Sequence, residues 1–321
     1  MIIYYQYKEA GYYIIDNSEE NLGDLVSTAD TEGILILCNT DNSCTKKTDV
    51  GYYKNKGDVD GTVPFIQCTS DGKCKAIAVP SLVACNANNI GLLDKNGKIC
   101  VSGEGLEIAI NEDATSTDYL VTGASASNIF TEEAIVNSFI LTMTAGSITL
   151  KSGLTDGVKA FEFNDTDYSV ASITLGSAST DTVVMAKLRL YMCESNICFR
   201  TYGYVLIGSN YYTVSRKGTI NSKGRSEIES TCTSTSKIGS LHKNANIFVC
   251  LNYTNAAVLP QQIDAVGAKN YIMPNVAENV FTNPETTEDD SYIILLVGDN
   301  VIVLNVPYER KSFFFFITYH L

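Results

Sequence analysis

Proton exchange and nucleophilic attack need histidine, paired carboxylates or an activated thiol, and this sequence is poor in the first of these. Its two histidines are His242 and His320. His320 lies in the terminal stretch KSFFFFITYHL, and His242 in the turn-like SLHKNAN, where it reads as a solvated turn residue. No G-x-S-x-G elbow, H-E-x-x-H, phosphate-binding loop, G-x-G-x-x-G or EF-hand loop occurs, so no catalytic, cofactor or metal site is assigned. A glycosidase needs only two carboxylates. Glu104, Glu107, Asp165 and Asp167 are candidates, as is the run Glu285, Glu288, Asp289 and Asp290, which reads more simply as a solvated loop before YIILLV. Asp58-Val-Asp60-Gly61 and Asn164-Asp165-Thr166-Asp167 could offer oxygens to calcium, but the same residues are what turns are made of.

The ten cysteines speak for structure rather than chemistry. They fall as close neighbours, and no C-x-x-C is present, which removes the zinc-knuckle and thioredoxin-type readings. Local spacing predicts Cys38–Cys44, Cys68–Cys74, Cys85–Cys100, Cys193–Cys198 and Cys232–Cys250. Asp71-Gly72 between Cys68 and Cys74 accepts the positive φ of a hairpin turn, so that bond would clip a hairpin shut. Such pairing belongs to an oxidising compartment, and a secreted or cell-surface protein is expected. Sequons at Asn164-Asp-Thr and Asn252-Tyr-Thr fit secretion.

Nineteen tyrosines and no tryptophan make tyrosine the main source of aromatic contact. Several occur in doublets, among them Tyr52-Tyr53 and Tyr211-Tyr212. Neighbours on a strand point to opposite faces, so each doublet is expected to give one buried ring and one outward ring available for a protein or sugar partner.

The elements that must position these residues are strands. Runs such as GYYII, ILIL, PFIQ, SFILTMT, YVLI, NIFVCL and VIVLNV are rich in Ile, Val, Leu, Tyr and Thr and are bounded by Gly, Asn, Asp and Ser. Thr131 to Ser138 and Leu259 to Ala268 are the best helix candidates. With 321 residues, 45% of them apolar, the chain can bury a sizeable core. Its net charge of −13 argues against nucleic acid or an anionic membrane as partner. The longest apolar runs, YIILLV and FFFFI, fall far short of a membrane span. MIIYYQYKEAG does not read as a secretory signal, so either the signal has been removed or the chain is a piece of a longer one.

The landmarks recur. Cys38 and Cys44 are echoed by Cys193 and Cys198, Cys85 and Cys100 by Cys232 and Cys250, and SNIFT by ENVFT, each about 150 residues on. Two tandem, related, disulfide-clipped modules of short strands are expected, over 11–165 and 166–321. A solenoid-like arrangement is favoured over a β-sandwich.

The phrase GYYKNKGDVDGTVPFIQCTSDGKCKAI, a G-Y-Y strand followed by an apolar-x-Cys step and a second Cys, resembles the repeats of scaffoldins from anaerobic gut fungi. The resemblance is best over 11–100, and the second half departs from it, with GSNYY at 208–212 standing for GYY. It implies a non-catalytic extracellular scaffold whose cohesin-like modules gather plant-cell-wall-degrading enzymes through their dockerin domains. Two alternatives remain open: an adhesin or stalk that binds polysaccharide or self-associates, and a polysaccharide-cleaving β-solenoid enzyme.

Overall fold

The computed structural model describes residues 9–17, 24–41, 43–81, 84–125, 127–131, 138–195, 197–215, 218–229, 231–234, 237–252, 261–264, 269–273 and 292–304. These residues are mainly β, without an α-helix among them, and the short 3-10 turn Met185–Lys187 is their one named helical element. Thr131 to Ser138 falls largely outside the described residues. Leu259 to Ala268 does not form the expected helix where it is described: Gln261–Asp264 is a strand. Ladder hydrogen bonds to 248–252 outweigh the local preference there.

Strands fall into two compact units. The first holds Met1–Asp156 with Tyr168–Val170 and Cys193–Cys198, and the second holds Gly157–Asp167, Ala171–Met192 and Phe199–Leu321.

In the first unit the strands are β1 (Gly11–Asp16), β2 (Glu32–Cys38), β3 (Cys44–Lys46), β4 (Gly51–Lys54), β5 (Phe65–Cys68), β6 (Cys74–Ile77), β7 (Lys98–Ser102), β8 (Leu106–Ala109), β9 (Thr117–Val121), β10 (Phe139–Thr144) and β11 (Ser147–Gly153). Their main sheet runs β1-β2-β6-β5-β4-β11-β10-β9, with β3 on β2. The sheet curls until β1 reaches the end of β4. Tyr12 bridges Asn55, and the Lys56 N–H donates to the Tyr12 carbonyl at 2.8 Å. Inside this curl lie Tyr12, Ile14, Leu35, Tyr53, Ile66 and Ala76. A larger core on the other face of β4 joins Tyr52 and Phe65 to Leu141, Ile148, Phe130 and the β7–β8 hairpin. A curl of this kind is compatible with either the solenoid-like or the sandwich-like arrangement.

In the second unit the strands are β12 (Gly157–Phe163), β13 (Val170–Ile173), β14 (Leu188–Glu194), β15 (Ile197–Thr201), β16 (Gly203–Ile207), β17 (Asn210–Ser215), β18 (Gly218–Gly224), β19 (Leu241–Lys243), β20 (Ile247–Asn252), β21 (Gln261–Asp264), β22 (Lys269–Met273), β23 (Tyr292–Val297) and β24 (Asn300–Leu304). The order β18-β17-β16-β24-β23-β22 reproduces β6-β5-β4-β11-β10-β9 strand for strand. Register agrees as well: Gly51 pairs with Thr149 and Tyr52 with Ile148, as Gly203 pairs with Ile302 and Tyr204 with Val301.

Outside the sheet the correspondence continues in the hydrogen bonds. Gly91 N–H donates to the Cys100 carbonyl and Cys100 N–H to that of Leu92. Gly239 does the same to Cys250, and Cys250 to Ser240. The structural partner of the GYY phrase is therefore Gly203-Tyr204-Val205, and not the GSNYY stretch that sequence suggests.

The ten cysteines form five bonds, Cys38–Cys44, Cys68–Cys74, Cys85–Cys100, Cys193–Cys198 and Cys232–Cys250, all between sequence neighbours. Cys38 faces Cys44 across β2 and β3, and Cys68 faces Cys74 across β5 and β6. Each of these bonds clips a hairpin at its turn end, beside the connecting loop. In the second unit the positions of Cys68 and Cys74 are taken by Val214 and Thr219, which pair in the same way.

Candidate functional site

A cleft of about 120 Å³ opens in the second unit. Its floor is one face of the β16–β17–β18 meander. Tyr204 pairs with Thr213, Thr213 with Asn221, and Tyr211 with Lys223, and cross-strand partners share a face. Its wall is the segment between β18 and β19, which supplies Glu229, Thr231, Lys237 and Ser240.

That wall has little ladder of its own and is held by other bonds. Lys243 N–H donates to the Glu229 carbonyl at 3.0 Å, and Ser240 Oγ donates to the Lys237 carbonyl at 2.7 Å. Cys232, in the middle of the segment, is bonded to Cys250 on β20. The disulfide thus fixes one side of the cleft against the sheet that carries Val249 and Leu251 into the core.

The lining mixes rings, hydroxyls, an amide and charge. Lys237 reaches Glu229 at 3.5 Å, whereas exposed Lys223 has no ion-pair partner among the described residues. Tyr211 is 2% exposed, and its hydroxyl has no hydrogen-bond partner among the described residues. Burial first, and then the charge of Asp299, push its phenol up to about 12. Asp264 adds to this push, and its Oδ1 is also buried without a partner. Buried polar atoms left unpaired in this way are uncommon in folded proteins and call for a bound group or water.

His242, on β19, departs from the solvated turn residue expected of it. It is 1% exposed and stacks on Phe248, its cross-strand neighbour, with ring centroids 5.4 Å apart. Both ring nitrogens are buried without partners among the described residues, and burial holds its pKa below the usual histidine value. The turn residues that follow it, Asn244 to Asn246, are what made the stretch look like a loop. In the first unit Asp94 holds the same place, also buried, and accepts the N–H groups of Asn96 and Lys98 at 2.8 Å.

The tyrosine doublets do not offer the outward rings expected. Tyr52 and Tyr53 are both buried, one in the large core and the other inside the curl. Tyr211 is buried and Tyr212 half-buried, again in two separate cores. Alternation does send neighbouring rings to opposite faces, but both faces of these strands are covered.

Two of the carboxylate candidates are engaged in ion pairs. Glu107 pairs with Lys98 at 3.2 Å, and Asp165 with Arg189 at 2.8 Å. Glu104 lies exposed in the β7–β8 turn. Glu285, Glu288, Asp289 and Asp290 lie outside the described residues. Asn164 sits in a loop, where its Oδ1 accepts the Thr166 N–H at 3.1 Å. Asn252 ends β20, and the rest of its sequon lies outside the described residues.

Asp58 and Asp60 serve the loop that contains them. Asp58 Oδ1 accepts the Val63 N–H, and Asp60 Oδ1 accepts both the N–H and the hydroxyl of Thr62. Asn55 closes the loop from within, donating to the Val63 carbonyl and accepting from Gly57 N–H, both at 3.0 Å. At the tip of this pinned loop, between the two aspartates, Val59 is 96% exposed. Nothing in the sequence singled out Val59; only the bonding of its neighbours shows that it is held out in one place.

The sequence matches no protein-family profile, and neither a curated protein nor a solved structure proved significantly similar to it.

Proposed function

We propose that this chain is a segment of a non-catalytic extracellular scaffold that captures partner proteins. On the scaffoldin resemblance, those partners are dockerin-bearing enzymes that degrade plant cell walls. The observation that carries the reading is the bracing: five disulfides between sequence neighbours, placed across two units that repeat one strand order. Local cross-links of this kind suit an oxidising compartment and keep short strands and their loops fixed. A repeated frame raises the effective concentration of whatever each copy binds. The pinned Asn55–Val63 loop supplies a contact of the right kind, an apolar tip pre-ordered before binding and flanked by carboxylates that would favour a basic rim on the partner.

The test is capture. The immobilised, oxidised chain is exposed to the secreted proteins of a fibre-degrading anaerobic fungal culture, and bound proteins are identified by mass spectrometry. Many different hydrolases sharing one small Cys-rich domain are expected. Retention of the chain on plant fibre with no enzyme captured would favour the adhesin alternative.

A further inference from the structure

The two units provide an internal control for the cleft, because the same frame carries different side chains in each. By register, Gly51 to Lys54 match Gly203 to Leu206. Lys54 pairs with Phe65 and Phe65 with Ile77, while Leu206 pairs with Tyr211 and Tyr211 with Lys223. Phe65 therefore corresponds to Tyr211 and Ile77 to Lys223. The hydrogen bonds from Cys100 and Cys250 match Leu92 to Ser240.

Where the first unit has Phe65, Ile77 and Leu92, with Phe65 and Ile77 packed on its large core, the second has a phenol, an ammonium and a hydroxyl around a cleft. Three apolar positions of the first unit are polar in the second, while the neighbouring Lys54 is matched by apolar Leu206. Stability does not explain the change, since a buried hydroxyl without a partner lowers it. A ligand would explain it.

We propose that this cleft binds one uronic-acid residue of an acidic polysaccharide. Lys223, without an ion-pair partner among the described residues, takes the carboxylate; the Tyr211 hydroxyl, with Asn221, Thr213 and Ser240, serves the sugar's hydroxyls. Among the lining residues two lysines stand against one carboxylate, Glu229, while Asp299 and Asp264 act on Tyr211 from outside the lining. A charged group hydrogen-bonded to its counterion is the strongest of these contacts, so the carboxylate sets the preference over neutral sugars. This site is separate from protein capture and does not rest on it.

Calorimetric titration of the full oxidised chain with a galacturonate trimer, a neutral xylose trimer and sodium acetate tests the site. Saturable binding of the galacturonate trimer is expected, with the neutral trimer at least tenfold weaker and acetate weaker still. Lys223→Ile is expected to weaken the trimer about tenfold, the scale of one charge-assisted hydrogen bond. Tyr211→Phe should lower affinity without loss of the cooperative melt. The triple change Tyr211→Phe, Lys223→Ile and Ser240→Leu restores the first unit's residues; it should keep the fold and abolish binding. Equal affinity for the neutral trimer, acetate as strong a ligand as the galacturonate trimer, unchanged affinity in the triple variant, or no binding by the folded wild-type chain would each overturn the proposal.

Discussion

Gly51 and Gly203 hold the same position in the two units, each where its strand lies too close to its antiparallel neighbour for a side chain. A Cβ on Gly51 would lie 2.4 Å from the Ile148 carbonyl oxygen, and one on Gly203 2.0 Å from that of Val301. Because the obstacle is backbone in both cases, the neighbouring strand itself would have to move. Gly51→Ala and Gly203→Ala are each expected to cost about 3 kcal/mol, the upper range for forcing atoms into a packed site. Denaturant melts of the two variants would show it, and a loss below about 0.5 kcal/mol at either position would refute the correspondence.

The disulfides differ in the loop they close. Cys232 and Cys250 are separated by 18 residues, and Cys38 and Cys44 by 6. Chain entropy then assigns about 3 kcal/mol to the first bond and about 2 kcal/mol to the second. Paired Cys→Ser variants melted under non-reducing conditions are expected to rank in that order. The reverse ranking would mean that the segment walling the cleft is held by its hydrogen bonds rather than by Cys232.

His242 gives the second unit a defined response to acid. Its folded pKa lies below the unfolded value, because the buried ring resists protonation. Between the two values the unfolded chain binds more protons, so this contribution is fully present above about pH 6.5 and is lost as pH falls toward the folded pKa. The melting temperature is expected to drop from pH 7.5 to pH 5. His242→Phe, which keeps a ring against Phe248, should flatten that drop. An unchanged pH profile in the variant would exclude His242 as its source.

The phenol of Tyr211 is buried without a partner, so removing it should help the empty protein. Tyr211→Phe is expected to raise stability by about 1 kcal/mol in the absence of ligand, as the desolvation cost of an unpaired hydroxyl is relieved. Destabilisation of that size would instead place a tightly held water on the hydroxyl.

Much of this was legible in the sequence, for physical reasons. The short cysteine pairs, such as Cys38–Cys44 and Cys68–Cys74, were readable because a bond across a hairpin needs only a few residues between its ends. The repeat was readable in Cys85 and Cys100 against Cys232 and Cys250, which keep their spacing and carry matching hydrogen bonds, whereas ENVFT lies outside the described residues. The true mate of Gly51 was not, since a close approach between strands leaves no local mark and GSNYY at 208–212 looks more like GYY than GYV does. The double burial of Tyr52 and Tyr53 was hidden for a related reason: alternation reports two faces but not what covers them. The cleft emerged only from register, which sets Tyr211, Lys223 and Ser240 against Phe65, Ile77 and Leu92. None of those three polar residues is unusual where it stands in the sequence.

Partner capture turns most directly on a binding titration with an isolated Cys-rich dockerin domain, freed of its hydrolase, against the full oxidised chain and its Val59→Asp variant. Val59 is almost fully exposed, so this change leaves the core untouched. The scaffold account predicts saturable binding to the wild-type chain and weakening of at least tenfold in the variant, with identical melts. A folded, fully oxidised chain that binds no dockerin domain would contradict it.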